Sequence, residues 1–477
     1  MRIAFITAGA AGMFCGSCMR DNTLVTALRR RGHDAILVPT YTPIRTDEAD
    51  VSQHRVFFGG INVYLQQKSR LFRHTPWLAD RLLDVPRLLK WVSRFAGRMK
   101  YSELGGLAVS MLKGEHGRQR KEVEKLVAWL EAEVKPDVIL FTNALLSGVI
   151  PPLRDRLGVP IWVTLQGDDI FLDALPAADR AACVELIRTN TDGVAGFIST
   201  SRFYADHMSA ELGVPRDKVK VVYPGINLDG HGGERPVRRD GRQTVGYFAR
   251  ICPEKGFHHA VEGFIALMKA DDAPDATLRA SGWLGENDKP FFREQVAKLA
   301  AAGLADCFEY VASPTHDDKV TFFRSADVLC VPTTYREPKG LYVLEAWANG
   351  LPVVLPGHGT FPELLADGGG LLVPPGDVPA LAAGLRRALA DHDWRDAAGR
   401  AGAAAVRERF TADVMARETE RVLVGSPEPP NPPGPPSLRG KGGDAPTDLL
   451  GVSTAAAVSQ DATDIQHPSP SGGGVTT

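Results

Sequence analysis

Pro332-Thr333-Thr334-Tyr335-Arg336-Glu337-Pro338-Lys339-Gly340-Leu341-Tyr342-Val343-Leu344-Glu345-Ala346-Trp347-Ala348-Asn349-Gly350-Leu351-Pro352-Val353 is the stretch from which the fold follows. A β-branched apolar run at 328–331 leads into it and another at 352–355 closes it, so a loop and a helix stand between two strands. Strands joined through a helix pair in parallel, because a parallel pair needs a long crossover. Glu337 precedes the helix and Glu345 lies inside it, eight positions along. Gly340 at the helix start frees backbone amides to face an anion.

The same alternation runs outward on both sides. In the second half strands are expected at 244–248, 276–281, 307–311 and 370–373. In the first half they are expected at 3–7, 35–39, 138–141, 161–165, 194–199 and 219–223, with a helix over 22–31 that carries Leu24 and Leu28 on one face. Strands alternating with helices imply parallel sheets covered on both faces. Residues 225–243 hold five glycines, one proline and seven charges and read as a linker. The expectation is two successive α/β domains, 1–224 and 244–397.

Composition agrees with that division. A chain of 477 residues is too long for one core, since cores stop growing near about 250–300 residues. Its 55 Lys+Arg against 57 Asp+Glu leave a net charge of −2, which excludes a generally nucleic-acid-binding surface. Six cysteines are too few for a disulfide framework, and no apolar run approaches the ~20 residues of a membrane helix. Met1 to Phe14, with one charge and interruptions at Gly9 and Gly12, reads as a first strand and glycine loop rather than a secretory leader, so a cytoplasmic protein is expected.

Two segments differ from the rest. Residues 425–477 contain ten prolines and nine glycines and cannot bury enough apolar surface to order themselves, so a disordered tail is expected. Residues 68–121 carry 13 Lys+Arg against 4 Asp+Glu, a basic helical insertion in the first domain. There Leu78, Leu82, Val85, Leu89 and Val92 form one apolar stripe opposite Arg87, Lys90 and Arg94. A solvated basic face is the plainer reading; peripheral contact with an anionic membrane, on its inner face, is the sharper one.

Ligands of parallel α/β sheets sit at the carboxyl ends of the strands. The first such loop, Gly9-Ala10-Ala11-Gly12-Met13-Phe14-Cys15-Gly16-Ser17-Cys18, lacks the glycine spacing of a dinucleotide site, and the second strand ends in Thr40 rather than an acid. Nicotinamide chemistry is therefore not expected. Gly12 and Gly16 remain candidates for close approach of a phosphate or a sugar hydroxyl. Cys15 and Cys18 have the spacing of a redox pair at a helix start, although two thiols packed in a tight loop is the plainer reading. In the second half, Arg250 and Lys255 stand five residues apart at a strand-to-helix turn and suit a diphosphate.

Arg250 with Lys255, Glu337 with Glu345, then Gly350-Leu351-Pro352-Val353 and Pro362-Glu363 together resemble retaining glycosyltransferase family 4. The resemblance is nearly continuous from 244 to 389 and looser in the first domain. It implies a GT-B fold, two Rossmann-like domains facing across a cleft, with the stretch at 398–424 crossing back to the first domain. It also implies a nucleoside-diphosphate-sugar donor, with the sugar passed to an acceptor hydroxyl of a glycan, lipid or small molecule. Arg250 and Lys255 would neutralise the diphosphate in place of a metal, Glu345 would hold the ribose, Glu337 would meet the donor sugar, and the amides near Gly340 and Leu341 would assist the phosphates. The leaving phosphate would itself take the acceptor proton, so no protein nucleophile and no cofactor are expected.

The sequence departs from the family pattern in places. Gln166 of Thr164-Leu165-Gln166-Gly167-Asp168-Asp169 stands where the family often has a histidine; it is able to hydrogen-bond a sugar hydroxyl but not to act as a base. Lys339 replaces a usual aromatic and either meets an anionic donor or acceptor group or simply reaches solvent, and Ala249 replaces a common glycine. Asp168 is a candidate on the acceptor side, and adjacent Asp168-Asp169 is not the spaced pair of metal-dependent glycosyltransferases. A GT-B nucleotide-sugar epimerase and a non-catalytic sugar- or nucleotide-binding protein are the alternatives.

Overall fold

The computed structural model describes residues 1–9, 15–53, 56–57, 101–233, 242–313 and 315–425, with the backbone alone at 101–104. Gly12, the apolar stripe of the basic insertion and the Pro/Gly-rich stretch after Gly425 lie outside the described residues.

The first half builds β1 (Arg2–Thr7), α1 (Gly16–Arg30), β2 (Asp34–Pro39), α2 (Tyr101–Leu112), α3 (Arg120–Trp129), β3 (Val138–Phe141), α4 (Ile150–Leu157), β4 (Ile161–Leu165), α5 (Asp168–Asp173), α6 (Ala177–Asn190), β5 (Gly196–Ser199), α7 (Arg202–Leu212) and β6 (Val219–Val221). The second builds β7 (Gln243–Phe248), α8 (Phe257–Met268), β8 (Ala276–Ser281), α9 (Lys289–Ala301), β9 (Phe308–Val311), α10 (His316–Ser325), β10 (Val328–Cys330), α11 (Leu341–Ala348), β11 (Val353–Pro356), α12 (Phe361–Leu364), β12 (Gly370–Val373), α13 (Val378–Ala390), α14 (His392–Arg409) and α15 (Ala412–Val424). Among the described residues all strand pairs are parallel, in two six-stranded sheets ordered β2-β1-β3-β4-β5-β6 and β12-β11-β10-β7-β8-β9. The central strands are buried without interruption, as Val138–Phe141 and Ile161–Leu165 are, because helices cover both faces. This is the GT-B architecture.

The order of the strands positions the site. Each sheet reverses direction once, between β1 and β3 in the first and between β7 and β10 in the second. A crevice opens at the carboxyl ends of the strands at such a reversal. The loops that leave β1, β3, β7 and β10 carry Cys15, Thr142, Arg250 to Lys255, and Glu337 to Lys339.

Two expectations change. The first helix starts at Gly16, six residues before the expected Asn22, and its first turns are pinned by burial of Cys18, Arg20 and Asp21. The stretch expected as one helix over 398–424 is two, broken at Phe410 and Thr411, where the Thr411 hydroxyl caps the amide of Val414 at 3.2 Å. Helix α14 belongs to the second half: its Gly402 packs against the Trp347 indole. Only α15 reaches the first half, placing Met415 and Ala416 in one apolar cluster with Ile3, Leu24 and Leu28 while Arg31 of the first half bonds Glu420 at 2.9 Å. The two crossing points lie side by side, since Ile226 and Ala412 exchange backbone hydrogen bonds with Phe410 and Ile226 at 2.9 Å each.

Candidate active site

Glu337 is the centre of the site. Only 3% of it is exposed, and five donors converge on its carboxylate. Oε2 takes hydrogen bonds from the Lys255 ammonium at 2.6 Å, the Tyr335 hydroxyl at 2.8 Å and the Tyr342 hydroxyl at 3.3 Å. Oε1 takes the amides of Lys339 and Gly340, both at 3.3 Å. Burial alone would raise this carboxyl, but the charge and hydrogen bond of Lys255 outweigh it and pull the group down to about 2. Lys255 in turn lies over the rings of Tyr335 and Tyr342, 4.9 and 5.2 Å from their centroids.

Local backbone explains why these groups meet. Gly256 follows Lys255 at φ +70°, and a Cβ there would overlap the Pro332 carbonyl, so only glycine lets this turn dock on the end of β10. Gly340 opens α11 at φ +69°, which turns its amide back onto Glu337. The expectation that this amide faces a phosphate changes accordingly: the carboxylate already occupies it. Leu341 is the first residue of α11, and its side chain lies 3.5 Å from where a Cβ on Gly16 would stand. The starts of α1 and α11 therefore face one another across the cleft, two positive dipole ends at one place. Lys339 spans the gap, its ammonium donating to the Ser17 hydroxyl and the Gln166 carbonyl at 2.7 Å each, and burial lowers its pKa. Arg250 sits at the mouth, 39% exposed, donating to the Cys252 sulfur at 3.3 Å.

Glu345 lies on α11 one cluster away. Lys319 of α10 binds it at 2.6 Å and also binds Asp47, from the loop that follows β2 in the other half. The three side chains are 9%, 7% and 7% exposed. Burial pushes the Glu345 carboxyl up, and Lys319 opposes this. Neither Lys319 nor Asp47 stands out in the sequence, since no spacing links positions 47 and 319. Nearby, Arg20 is 1% exposed and bonds Asp21 at 3.0 Å, while its Nε and Nη2 are buried without hydrogen-bond partners.

Two expected residues face elsewhere. The Gln166 amide nitrogen donates to the Thr142 carbonyl at 2.8 Å and hydroxyl at 3.0 Å, leaving only the buried Oε1 without a partner. Its NH₂ is therefore spent within the first half rather than offered to a sugar. Asp168 accepts the amides of Ala144 at 2.6 Å and Gln166 at 3.0 Å and is 2% exposed, so it staples two loops instead of reaching an acceptor. Burial raises it to about 6 despite those amides.

Glu363 joins the halves. Its carboxylate, on α12, accepts the amides of Arg202 and Phe203 at 3.1 and 2.6 Å and the Tyr223 hydroxyl at 2.7 Å, capping α7 of the other half. Glu363→Ala leaves these half-buried donors without their acceptor and is expected to lower the free energy of urea unfolding by about 1–3 kcal/mol. An unchanged midpoint would remove the cap from the account.

Among the described residues no group of three metal-ligating side chains is present, and no helix is long and apolar enough to cross a membrane.

With this geometry the comparisons with known proteins agree. The family description "Glycosyl transferase 4-like domain" matches residues 22–225, and "Glycosyl transferases group 1" matches 234–405. The chain belongs to the family 4 glycosyltransferases of GT-B fold. It is 30% identical over 246 residues to D-inositol 3-phosphate glycosyltransferase of Streptomyces bingchenggensis, covering 47% of this chain and 51% of that one. It is 29% identical over 419 residues to 2-deoxystreptamine N-acetyl-D-glucosaminyltransferase of Streptomyces fradiae, covering 77% and 91%. Against several of these curated relatives the matched stretch spans only about half to two thirds of their length. In structure, HepE of Anabaena in complex with UDP and glucose superimposes with a TM-score of 0.63 at 17% identity, over 89% of this chain and all of that one.

Proposed function

We propose that the protein moves a sugar from a nucleoside diphosphate to an acceptor hydroxyl with retention at the sugar carbon and without a metal ion. The observation that carries this reading is the convergence of Lys255, Lys339 and two helix starts beside Glu337, with Arg250 in charge contact with the Tyr335 that also bonds Glu337. Departure of a nucleoside diphosphate builds negative charge, and preorganised cations stabilise it without reorganisation. Arg250 and Lys255 supply the charge that a divalent ion supplies elsewhere. Glu337, held near pKa 2 and wrapped by five donors, is too weak a base to take a proton and too encumbered to attack carbon. Its chemistry suits orienting Lys255 and meeting sugar hydroxyls. The acceptor proton then passes to the departing phosphate oxygen on the same face, which gives retention.

The relatives named above act on D-inositol 3-phosphate and 2-deoxystreptamine, both polyhydroxylated rings, and this supports a cyclic polyol or sugar as acceptor. A HepE structure holds UDP and glucose, which supports a nucleotide-sugar donor.

The test begins with thermal shift against UDP, GDP and ADP and their sugars; a ligand at 100 times its Kd stabilises by ~2.7 kcal/mol. Turnover of the nucleotide sugar that raises the melting point is expected to vanish in Arg250→Ala and in Glu337→Ala. Full turnover in both variants would refute this assignment of the site.

A further inference from the structure

Cys15 and Cys18 flank the first turn of α1. Cys15 is the residue before the helix and Cys18 the third within it. Their surroundings differ in the way a thiol–disulfide couple requires. Cys15 is partly exposed, whereas Cys18 is 2% exposed and lies 3.9 Å from the Thr7 hydroxyl. Positions i and i+3 at a helix start lie one turn apart on the same side, so the backbone places the two thiols as neighbours. Lys339 stands close by in charge contact, anchored on Ser17, the residue between the two cysteines' glycine and Cys18. Of the other cysteines, Cys183, Cys252 and Cys330 are buried and Cys307 is partly exposed.

We propose that Cys15 and Cys18 form a reversible intramolecular disulfide, a thiol–disulfide site set in the wall of the cleft beside Lys339. The oxidant is a low-molecular-weight disulfide. The Cys15 thiolate attacks one of its sulfurs, the S–S bond breaks, and one small thiolate leaves. Cys18 then gives up its proton and attacks the Cys15 sulfur, expelling the second small thiolate. Two protein thiols lose two electrons in all, and the small disulfide is reduced to two thiols. The first attack falls to Cys15, which its hydrogen bond from Cys18 brings down to about 5, while that bond and burial push Cys18 up. Oxidation removes one of the negative charges that act on Lys339, leaving those of Glu337 and Asp21 beside the neutral oxygens of Ser17 and Gln166. The site thus stands beside the proposed donor cleft, yet its chemistry does not depend on that cleft being one.

The test uses the full chain in glutathione buffers of graded ratio, with thiol counting and peptide mass. Loss of two thiols per chain is expected, with a 15–18 peptide two mass units lighter by loss of two hydrogens and no larger species. Cys18→Ser should instead keep a stable glutathione adduct on Cys15, and Cys15→Ser should keep Cys18 unmodified. Alkylation of Cys15 should hold its full rate from pH 7 down to about pH 6 and fall to half near pH 5. Equal labelling of the two cysteines, oxidation that appears only at Cys307 or between chains, or no disulfide at any ratio would each overturn the proposal. All these readouts are independent of sugar transfer, so a failed donor screen leaves them standing.

Discussion

Lys255→Ala is expected to lower the rate of sugar transfer by about two to three orders of magnitude, the size of effect seen when one preorganised charge-stabilising donor is lost. Stability should fall as well, because Glu337 is left ionised and buried without its cation, a loss of about 3–5 kcal/mol. Two further variants separate these effects. Lys255→Arg keeps the charge and should retain part of both properties. Lys255→Ala combined with Glu337→Gln should recover stability and stay inactive, since no carboxylate then needs a partner but no cation faces the phosphates. Acid unfolding supplies a further check. The folded Glu337 carboxyl lies below its unfolded value, at about 2 rather than 4.5. It therefore adds stability above about pH 4.5 and loses it as pH falls towards 2, on the order of 3 kcal/mol in all. This acid-sensitive component should be absent in Glu337→Gln. Wild-type kinetics in Lys255→Ala would end the diphosphate assignment.

Lys319→Met is expected to have the second-largest effect. The substitution leaves Asp47 and Glu345 facing each other across the two halves with no cation between them. Removing one member of a buried ionic cluster costs about 3–5 kcal/mol. Here the loss should appear at neutral pH and shrink in acid, where one carboxylate takes a proton and the pair shares it. Adding Asp47→Asn to Lys319→Met should restore much of the stability, because it removes the repulsion. If the single variant unfolds at the wild-type urea concentration, the cluster does not hold the halves together. The cluster also bears on the ribose role expected of Glu345: a ligand hydroxyl has to share that carboxylate with Lys319.

Most of the strands were legible because buried parallel strands are short apolar runs, and 138–141, 161–165, 276–281 and 370–373 fall where those runs do. Glu337 and Lys255 stood out through the combination of Arg250, Lys255, Glu337 and Glu345 at strand-to-helix turns, since each charge taken alone is common on a surface. Their direct contact did not, since it spans two loops. Gln166 and Asp168 show the limit most plainly. Their residue types suit ligand binding, yet side-chain torsions aim both at the neighbouring backbone of the first half. Asp47 and Lys319 look like ordinary surface charges until the two halves close on each other. The helix break at Phe410 was within reach, because Thr411 is a good N-cap residue three positions before the amide it receives.

The return of α15 sets an order on synthesis. The first sheet is translated early, but Met415 and Ala416 complete the apolar cluster that holds Ile3 and Leu24. A nascent chain released or arrested before residue 424 would expose that cluster along α1 and β1, whatever the state of the second half. Early truncation should therefore yield a chaperone-bound or aggregating product rather than a free first domain, and β1 and α1 become stable only once α15 has been made.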